Sequence, residues 1–373
     1  MSGPIFAGGL IMQSIVPLTP DLADTLKYEW RPVNILSPRP PAIYTIYNGI
    51  GDDFLFCSVI HHYFPAPMIF VVTPWYSIEA EFSQTGCDTL ATRVAEFKSL
   101  HPDSRLVFFC NTDKEVTILR SLGIESYFHN QNCLVDENNF YIDREMVCES
   151  AYGRFSSVYN AQMLPFKRHE LASNVRDLAL IYHIFGEEGD KYFNQVRGRL
   201  PEAIFCNNIS ADEGFASRPD FGKYRPLGIN EIRKIYNSSG VGLCLSAAEG
   251  AMYSSMEYLL CGLPVVSTPA LGGRDVYFDP NWALYVDPDR DSVAKAVKSV
   301  VTDDADREFI RRSVLERVED ERRKFISRIN GIRNDMDRQG LVTLSRVMRY
   351  RNGLTGMQPI GILKELFGSG STC

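Results

Sequence analysis

The chain has 373 residues, 45% hydrophobic and 23% charged, an ordinary globular composition that excludes a disordered or fibrous protein. That length is too great for one compact core and suits two domains of usual size. With 39 Lys and Arg against 46 Asp and Glu the formal charge is −7, so non-specific nucleic-acid binding, which needs a cationic surface, is not expected.

Nine scattered cysteines form no C-x-x-C pair, and the odd count argues against a disulfide framework or a zinc site, so a cytoplasmic protein is expected. Apolar runs such as Met68-Ile69-Phe70-Val71-Val72 fall far short of the roughly 20 residues a membrane span needs. Pro4 to Pro17 is mildly apolar but has no basic residues ahead of it, so no signal peptide is expected.

The first forty residues end in the stiff stretch Ser37-Pro38-Arg39-Pro40-Pro41 and read as an extension packed on the first domain. Ala42 to Tyr47 predicts a buried strand, Phe54 to Tyr63 a helix capped by Asp52 or Asp53, and Met68 to Thr73 a second strand. Thr89 to Leu100 (helix), Leu106 to Cys110 (strand), Asp113 to Leu122 (helix) and Ser126 to His129 (short strand) continue the alternation. A second series begins near Ser150, with strands at Ser156 to Tyr159, Leu178 to Phe185, Ala203 to Cys206, Gly242 to Leu245 and Pro264 to Ser267. Its helices are expected from Glu170 to Ala172 onward and at Tyr192 to Leu200, Ile229 to Ser238, Ser254 to Leu260 and Ser292 to Val301. Such alternation predicts an α/β fold with two doubly wound, Rossmann-like domains facing across a cleft, at residues 1–155 and 156–340. The Arg-rich stretch Asp304 to Asp337 reads as a long helix with a solvated, salt-bridged face.

The densest chemical signal runs from Leu243 to Thr268. A strand end is followed by Glu249-Gly250-Ala251-Met252-Tyr253-Ser254-Ser255-Met256-Glu257 and then Cys261-Gly262-Leu263-Pro264-Val265-Val266-Ser267-Thr268. A strand end in an open α/β sheet is where ligands dock, and a helix start offers N–H groups to an anion. Eight residues of helix span about 12 Å, so Glu249 and Glu257 could each grip a pair of hydroxyls on the sugar and the ribose of a nucleotide-sugar.

This stretch resembles the nucleotide-sugar site of retaining GT-B glycosyltransferases of family four, in which E-x7-E is followed by C-G-x-P-V-V-x-T. The loop Gly272-Gly273-Arg274-Asp275 and the run Leu284 to Asp289 resemble the family's next loop and strand. A bacterial polysaccharide glycosyltransferase is the implied type, the cyanobacterial heterocyst-envelope enzymes being one candidate subfamily. The resemblance implies that Glu249 contacts the donor sugar, Glu257 the ribose, and the amides of Met252, Tyr253 and Ser254, beside Gly250, the distal phosphate. It aligns Lys167 with the family's phosphate-binding Lys but puts Gln162 where an Arg belongs, leaving Arg168 as a candidate substitute for that charge. His129, at a strand end in the first domain, matches a cleft-facing His only loosely; functional and structural readings both stand.

In the first domain, Tyr47-Asn48-Gly49-Ile50-Gly51-Asp52-Asp53 links a strand to a helix, and Gly49 and Gly51 would let backbone approach a phosphate or sugar. A dinucleotide fingerprint is disfavoured, because Phe54 sits at its third glycine and no acidic residue ends the next strand. His61 and His62 read as packing or surface residues. Asp287-Pro288-Asp289 and Asp335-Met336-Asp337 have D-x-D spacing on the wrong elements, so neither a metal nor another cofactor is expected.

The implied reaction moves a hexose from a nucleoside-diphosphate sugar, UDP-hexose by family frequency, to a glycan or lipid-linked glycan with retention, in polysaccharide biosynthesis. Peripheral association with the inner face of the cytoplasmic membrane would accompany a lipid-linked acceptor. Residues 341–373 are expected to cross back onto the first domain, as in GT-B relatives. A nucleotide-sugar epimerase or hydrolase, and a non-catalytic sugar-binding scaffold of a polysaccharide assembly complex, are the alternatives.

Overall fold

The computed structural model describes residues 33–38, 41–47, 67–81, 84–145, 155–209, 220–302 and 305–336. The predicted helix Phe54 to Tyr63, the Gly49 and Gly51 loop, His61 and His62, and the crossing segment 341–373 lie outside them.

The first sheet contains β1 (Val33–Pro38), β2 (Pro41–Tyr47), β3 (Ile69–Pro74), β4 (Arg105–Cys110) and β5 (Ser126–Phe128), in that spatial order. Its parallel ladder from β2 to β5 carries α1 (Ile78–Glu81), α2 (Gln84–Leu100) and α3 (Asp113–Ser121) in its connections. Of the extension expected over the first forty residues only 33–38 are described, and these form an edge strand: β1 pairs antiparallel with β2, from Val33 opposite Thr45 to Pro38 opposite Pro41. Pro38, part of the proline run that masks this strand in the sequence, ends it on the edge of the sheet, where a missing N–H does no harm.

The second sheet holds β6 (Phe155–Asn160), β7 (Leu178–Ile181), β8 (Ile204–Phe205), β9 (Ser239–Cys244), β11 (Val265–Ser267) and β13 (Ala283–Tyr285). All pair in parallel, in the order β8-β7-β6-β9-β11-β13. Counted along this half of the chain, that is the doubly wound order 3-2-1-4-5-6, whose reversal between β6 and β9 opens a ligand crevice at the carboxyl ends of those two strands. The helices α4 (Gly186–Arg199), α5 (Ile229–Asn237), α6 (Tyr253–Leu260) and α7 (Arg290–Thr302) make the connections. Short strands β10 (Ala248–Glu249) and β12 (Leu271–Gly272) form a separate parallel pair. Two expected elements are shorter than read: β7 stops at Ile181, where its pairing with β6 ends, and Glu170 to Ala172 form only part of a 3-10 turn.

The last helix, α8 (Arg307–Met336), is long with one solvated face as expected, but several of its arginines reach inward instead. Arg311 donates to the carbonyls of Phe140 (2.6 Å) and Glu137 (3.0 Å), Arg317 to Val276 (2.7 Å), and Arg322 to Cys133 (2.7 Å) and Val135 (2.9 Å). The opposite face is solvated along its length, through Arg312, Glu316, Glu319 and Arg323, and there Lys324 and Arg323 pair with Asp320. On its apolar side Phe325 packs edge-on against Phe109 of β4, with ring centroids 5.2 Å apart. One contiguous core therefore runs from Ile69, Val107 and Phe109 through α8 to Val158, Leu243 and Val265. Among the described residues no helix is long and apolar enough to cross a membrane.

Candidate active site

The crevice predicted by the strand order is present as a cleft of about 690 Å³. Asn160 at the end of β6, Ala161, Gln162, Lys167, Glu249 to Ser254 and Glu257 line it from the second half, and Trp75 to Ser77 with Ala80 from the first. Lys167 ends a 3-10 turn (Pro165–Lys167) that begins with a proline, and its ammonium is ion-paired with Glu249, both side chains being largely buried. The expected Lys and first Glu are thus brought together, on the 3-10 turn that follows β6 and the short strand β10 that follows β9.

Backbone approach explains the glycines around Glu249. A Cβ on Gly250 would lie 2.4 Å from the Trp75 carbonyl oxygen, and one on Gly273 would lie 2.5 Å from Cβ of Asn111. Gly272, with φ +92°, would put a Cβ 1.8 Å from the Glu249 carbonyl oxygen, so β10 and β12 pair this closely only because that residue lacks one. The two halves meet here through polar groups as well. Asn130 donates to the Gly273 carbonyl (2.7 Å), and Tyr253 donates to Gln131 Oε1 (2.7 Å), whose amide nitrogen holds the Pro74 carbonyl (2.9 Å).

Helix α6 opens on the cleft. Met252 occupies its N-cap position, and no side chain caps it. Such a start presents backbone N–H groups and the positive end of the helix dipole to an anion. Met252, Tyr253 and Ser254 all line the cleft, as expected. One helical turn later Glu257 is buried at the cleft wall, where it accepts a hydrogen bond from the Tyr236 hydroxyl (2.7 Å).

Arg168 is not where the missing family arginine was sought. Residue 168 takes a left-handed backbone (φ 51°), and its guanidinium donates to the carbonyls of Leu245 (2.6 Å), Ser246 (2.9 Å) and Pro269 (3.1 Å) and to the Thr268 hydroxyl (2.9 Å). Burial, with Arg274 nearby, lowers its pKa. Arg274 itself is fully buried, donating to the Ser246 carbonyl (2.8 Å) and the Ser267 hydroxyl (2.8 Å) and pairing with Asp275 (2.6 Å). Together these two arginines hold the ends of β9 and β11, and so the loop that carries Glu249. Gln162 does line the cleft, uncharged.

His129 does not line the cleft either. It is fully buried, 3.3 Å from a Glu321 oxygen, with its ring 4.2 Å from that of Phe325. Burial lowers its pKa, against the pull of Glu321. Its place is under α8, in packing. Residues that sequence reasoning passed over include Trp75, Asn160, His183 and Ile232 in the lining, and Tyr236 behind Glu257. Asn160 had a signal, as the residue following a predicted strand; Tyr236 had none beyond its place in the predicted helix Ile229 to Ser238. Among the described residues no group of three or more His, Cys, Asp or Glu is disposed to hold a metal ion.

Two Rossmann-like halves facing across such a cleft define the GT-B fold. Residues 184–330 match the glycosyl transferase-like family. Among solved structures, HepE of Anabaena in complex with UDP is similar at 15% identity and TM-score 0.53, over 81% of this chain and 78% of HepE. Sucrose-phosphate synthase of Thermosynechococcus elongatus gives 14% and 0.52, over 74% of this chain and 68% of that one. The α,α-trehalose 6-phosphate synthase of Burkholderia multivorans gives 13% and 0.53, over 85% and 76%. No curated protein matches the sequence.

Proposed function

We propose that this protein is a metal-independent, retaining glycosyltransferase that moves a hexosyl group from a nucleoside-diphosphate sugar, UDP-hexose foremost, to a hydroxyl of a glycan. The observation that carries the reading is the Lys167–Glu249 pair facing an uncapped helix start in one cleft, at the reversal point of the second sheet. The match of residues 184–330 and the likeness to a UDP complex add weight.

In this reading the diphosphate lies against Lys167 and the start of α6, Glu249 takes hydroxyls of the sugar, and Glu257 takes those of the ribose. The bond from the anomeric carbon to the phosphate oxygen breaks while a bond to the acceptor oxygen forms on the same face. The proton of the acceptor hydroxyl passes to the departing phosphate, so no side-chain base is needed. Lys167 and the helix N–H groups are fixed donors aimed at the growing phosphate charge, where such groups act most strongly. The wall of Trp75, Tyr76, Ser77 and Ala80 has no charged side chain and faces the acceptor, a polysaccharide precursor.

A thermal-shift screen tests this first: a nucleoside diphosphate that binds only the folded state raises Tm. UDP and UDP-glucose should do so more than ADP or GDP, and NMR of the product should show an unchanged anomeric configuration. Free monosaccharide as the main product would instead identify a hydrolase. Binding without turnover would identify a scaffold.

A further inference from the structure

We infer that Tyr236 is a positioning residue for nucleotide recognition: held by Asn160, it orients Glu257 toward the ribose hydroxyls and so sets the preference for a ribonucleotide. The inference rests on the reading of the cleft as a nucleotide-sugar site. Tyr236 lies on the buried face of α5 and does not itself line the cleft. Its hydroxyl accepts from the Asn160 side-chain amide (2.6 Å) and donates to Glu257 Oε2 (2.7 Å). An amide NH2 can only donate, so the phenol proton is directed at the carboxylate.

Asn160 is itself held at three atoms. Its backbone N–H donates to the Tyr258 hydroxyl (2.7 Å), its carbonyl accepts from Ser254 (3.0 Å), and its amide reaches Tyr236. Tyr258 in turn lies over Gly242, where a Cβ would come within 2.3 Å of the ring. Tyr236 meets Tyr258 edge-on, with centroids 4.9 Å apart. The carboxylate is therefore referenced, through two hydrogen bonds, to the end of β6 at the crevice itself. A charge-assisted bond of this kind restricts the carboxylate to one orientation, and a group so held discriminates strongly against a ligand lacking the matching hydroxyls.

The test is calorimetric, with UDP and 2′,3′-dideoxy-UDP as probes against wild type and Tyr236→Phe. Phenylalanine keeps the ring and removes only the hydroxyl. Wild type should prefer UDP by a factor on the order of 10 to 100, and Tyr236→Phe should weaken UDP about tenfold while changing the dideoxy ligand less than about twofold. With UDP-glucose, KM should rise and kcat stay within about twofold. Asn160→Ala should move the UDP affinity in the same direction, and in a Glu257→Gln background Tyr236→Phe should have no further effect. An equal loss for both probes would make Tyr236 purely structural and overturn the inference alone. A wild type that binds no nucleoside diphosphate would overturn the reading of the cleft, and the inference with it.

Discussion

Replacing Gly250 by alanine tests the seam between the two halves. The new Cβ would meet the Trp75 carbonyl oxygen at 2.4 Å, the Trp75 carbonyl carbon at 2.6 Å and the Tyr76 carbonyl oxygen at 2.8 Å. All three are backbone atoms, so no rotamer change relieves the clash. Ordinary contact begins at 3.4 Å, and the walls must part by about 1 Å to restore it. Overpacking of this sort costs ~1–3 kcal/mol, or several degrees of Tm at about 2–4 °C per kcal/mol for a domain of 150–250 residues. Parting the walls by about 1 Å would misalign donor and acceptor, and misplacement on that scale lowers turnover about 10²-fold. Gly331→Ala is the internal control: that position lies inside α8 with no atom within 4 Å of a new Cβ, and alanine there should stabilise by ~0.5–1 kcal/mol. Calorimetry and turnover of UDP-glucose measure both variants. A Gly250→Ala protein with Tm within a degree of wild type and unchanged turnover would show that these backbones do not touch.

Lys167→Ala should lower turnover by a factor on the order of 10² to 10³, read by steady-state kinetics; near-normal rates would remove Lys167 from the reaction. Arg168→Met should do the reverse, lowering Tm through the carbonyls it deserts, at ~1–3 kcal/mol for each left unsatisfied, while UDP affinity by calorimetry changes less than in Lys167→Ala. Two buried groups should pull stability in opposite directions with pH. Burial raises Glu115 from 4.5 to about 7, so the folded protein keeps a proton the unfolded chain has released, and stability falls as pH rises through that window. Burial, with help from the Lys167 charge, lowers His169 from 6.5 to about 3, so the unfolded chain takes up a proton the folded protein refuses, and stability falls as pH drops from 6.5 toward 3. In the overlap the slopes oppose; Tm scans should show stability rising with pH in Glu115→Gln and falling with pH in His169→Phe, and parallel scans would refute the assignment.

The strand–helix alternation was legible because buried parallel strands are short apolar runs and helices such as α5 carry one apolar face; β3, β4, β6 and α3 fall within about a residue of their predicted limits. Glu249, Lys167 and the helix start were legible as a motif with a fixed order along one chain. What distance along the chain conceals is different in kind. Nothing local distinguishes the carbonyl-bound guanidinium of Arg168 from one reaching a phosphate, since the acceptors lie at residues 245–269. The two readings of His129, cleft-facing or structural, could not be separated along the chain, because α8, which covers it, comes nearly 200 residues later. Tyr236 carried no sign in the sequence beyond membership of a helix; the role inferred for it depends on Asn160 and Glu257 arriving from two other elements. The strand β1 was hidden by its closing Pro38, a residue disfavoured in a central strand and tolerated at an edge.

The path of α8 bears on how the protein can be divided. The helix follows the second sheet in sequence, yet Phe325 covers Phe109 and His129, and the Ile332 carbonyl accepts from Arg105 (3.3 Å), all in the first half. Excising the N-terminal half at the gap between the sheets would strip it of a wall encoded some 170 residues downstream. A recombinant fragment of that half therefore needs residues 307–336 supplied as well, whether fused through a linker or added as a peptide.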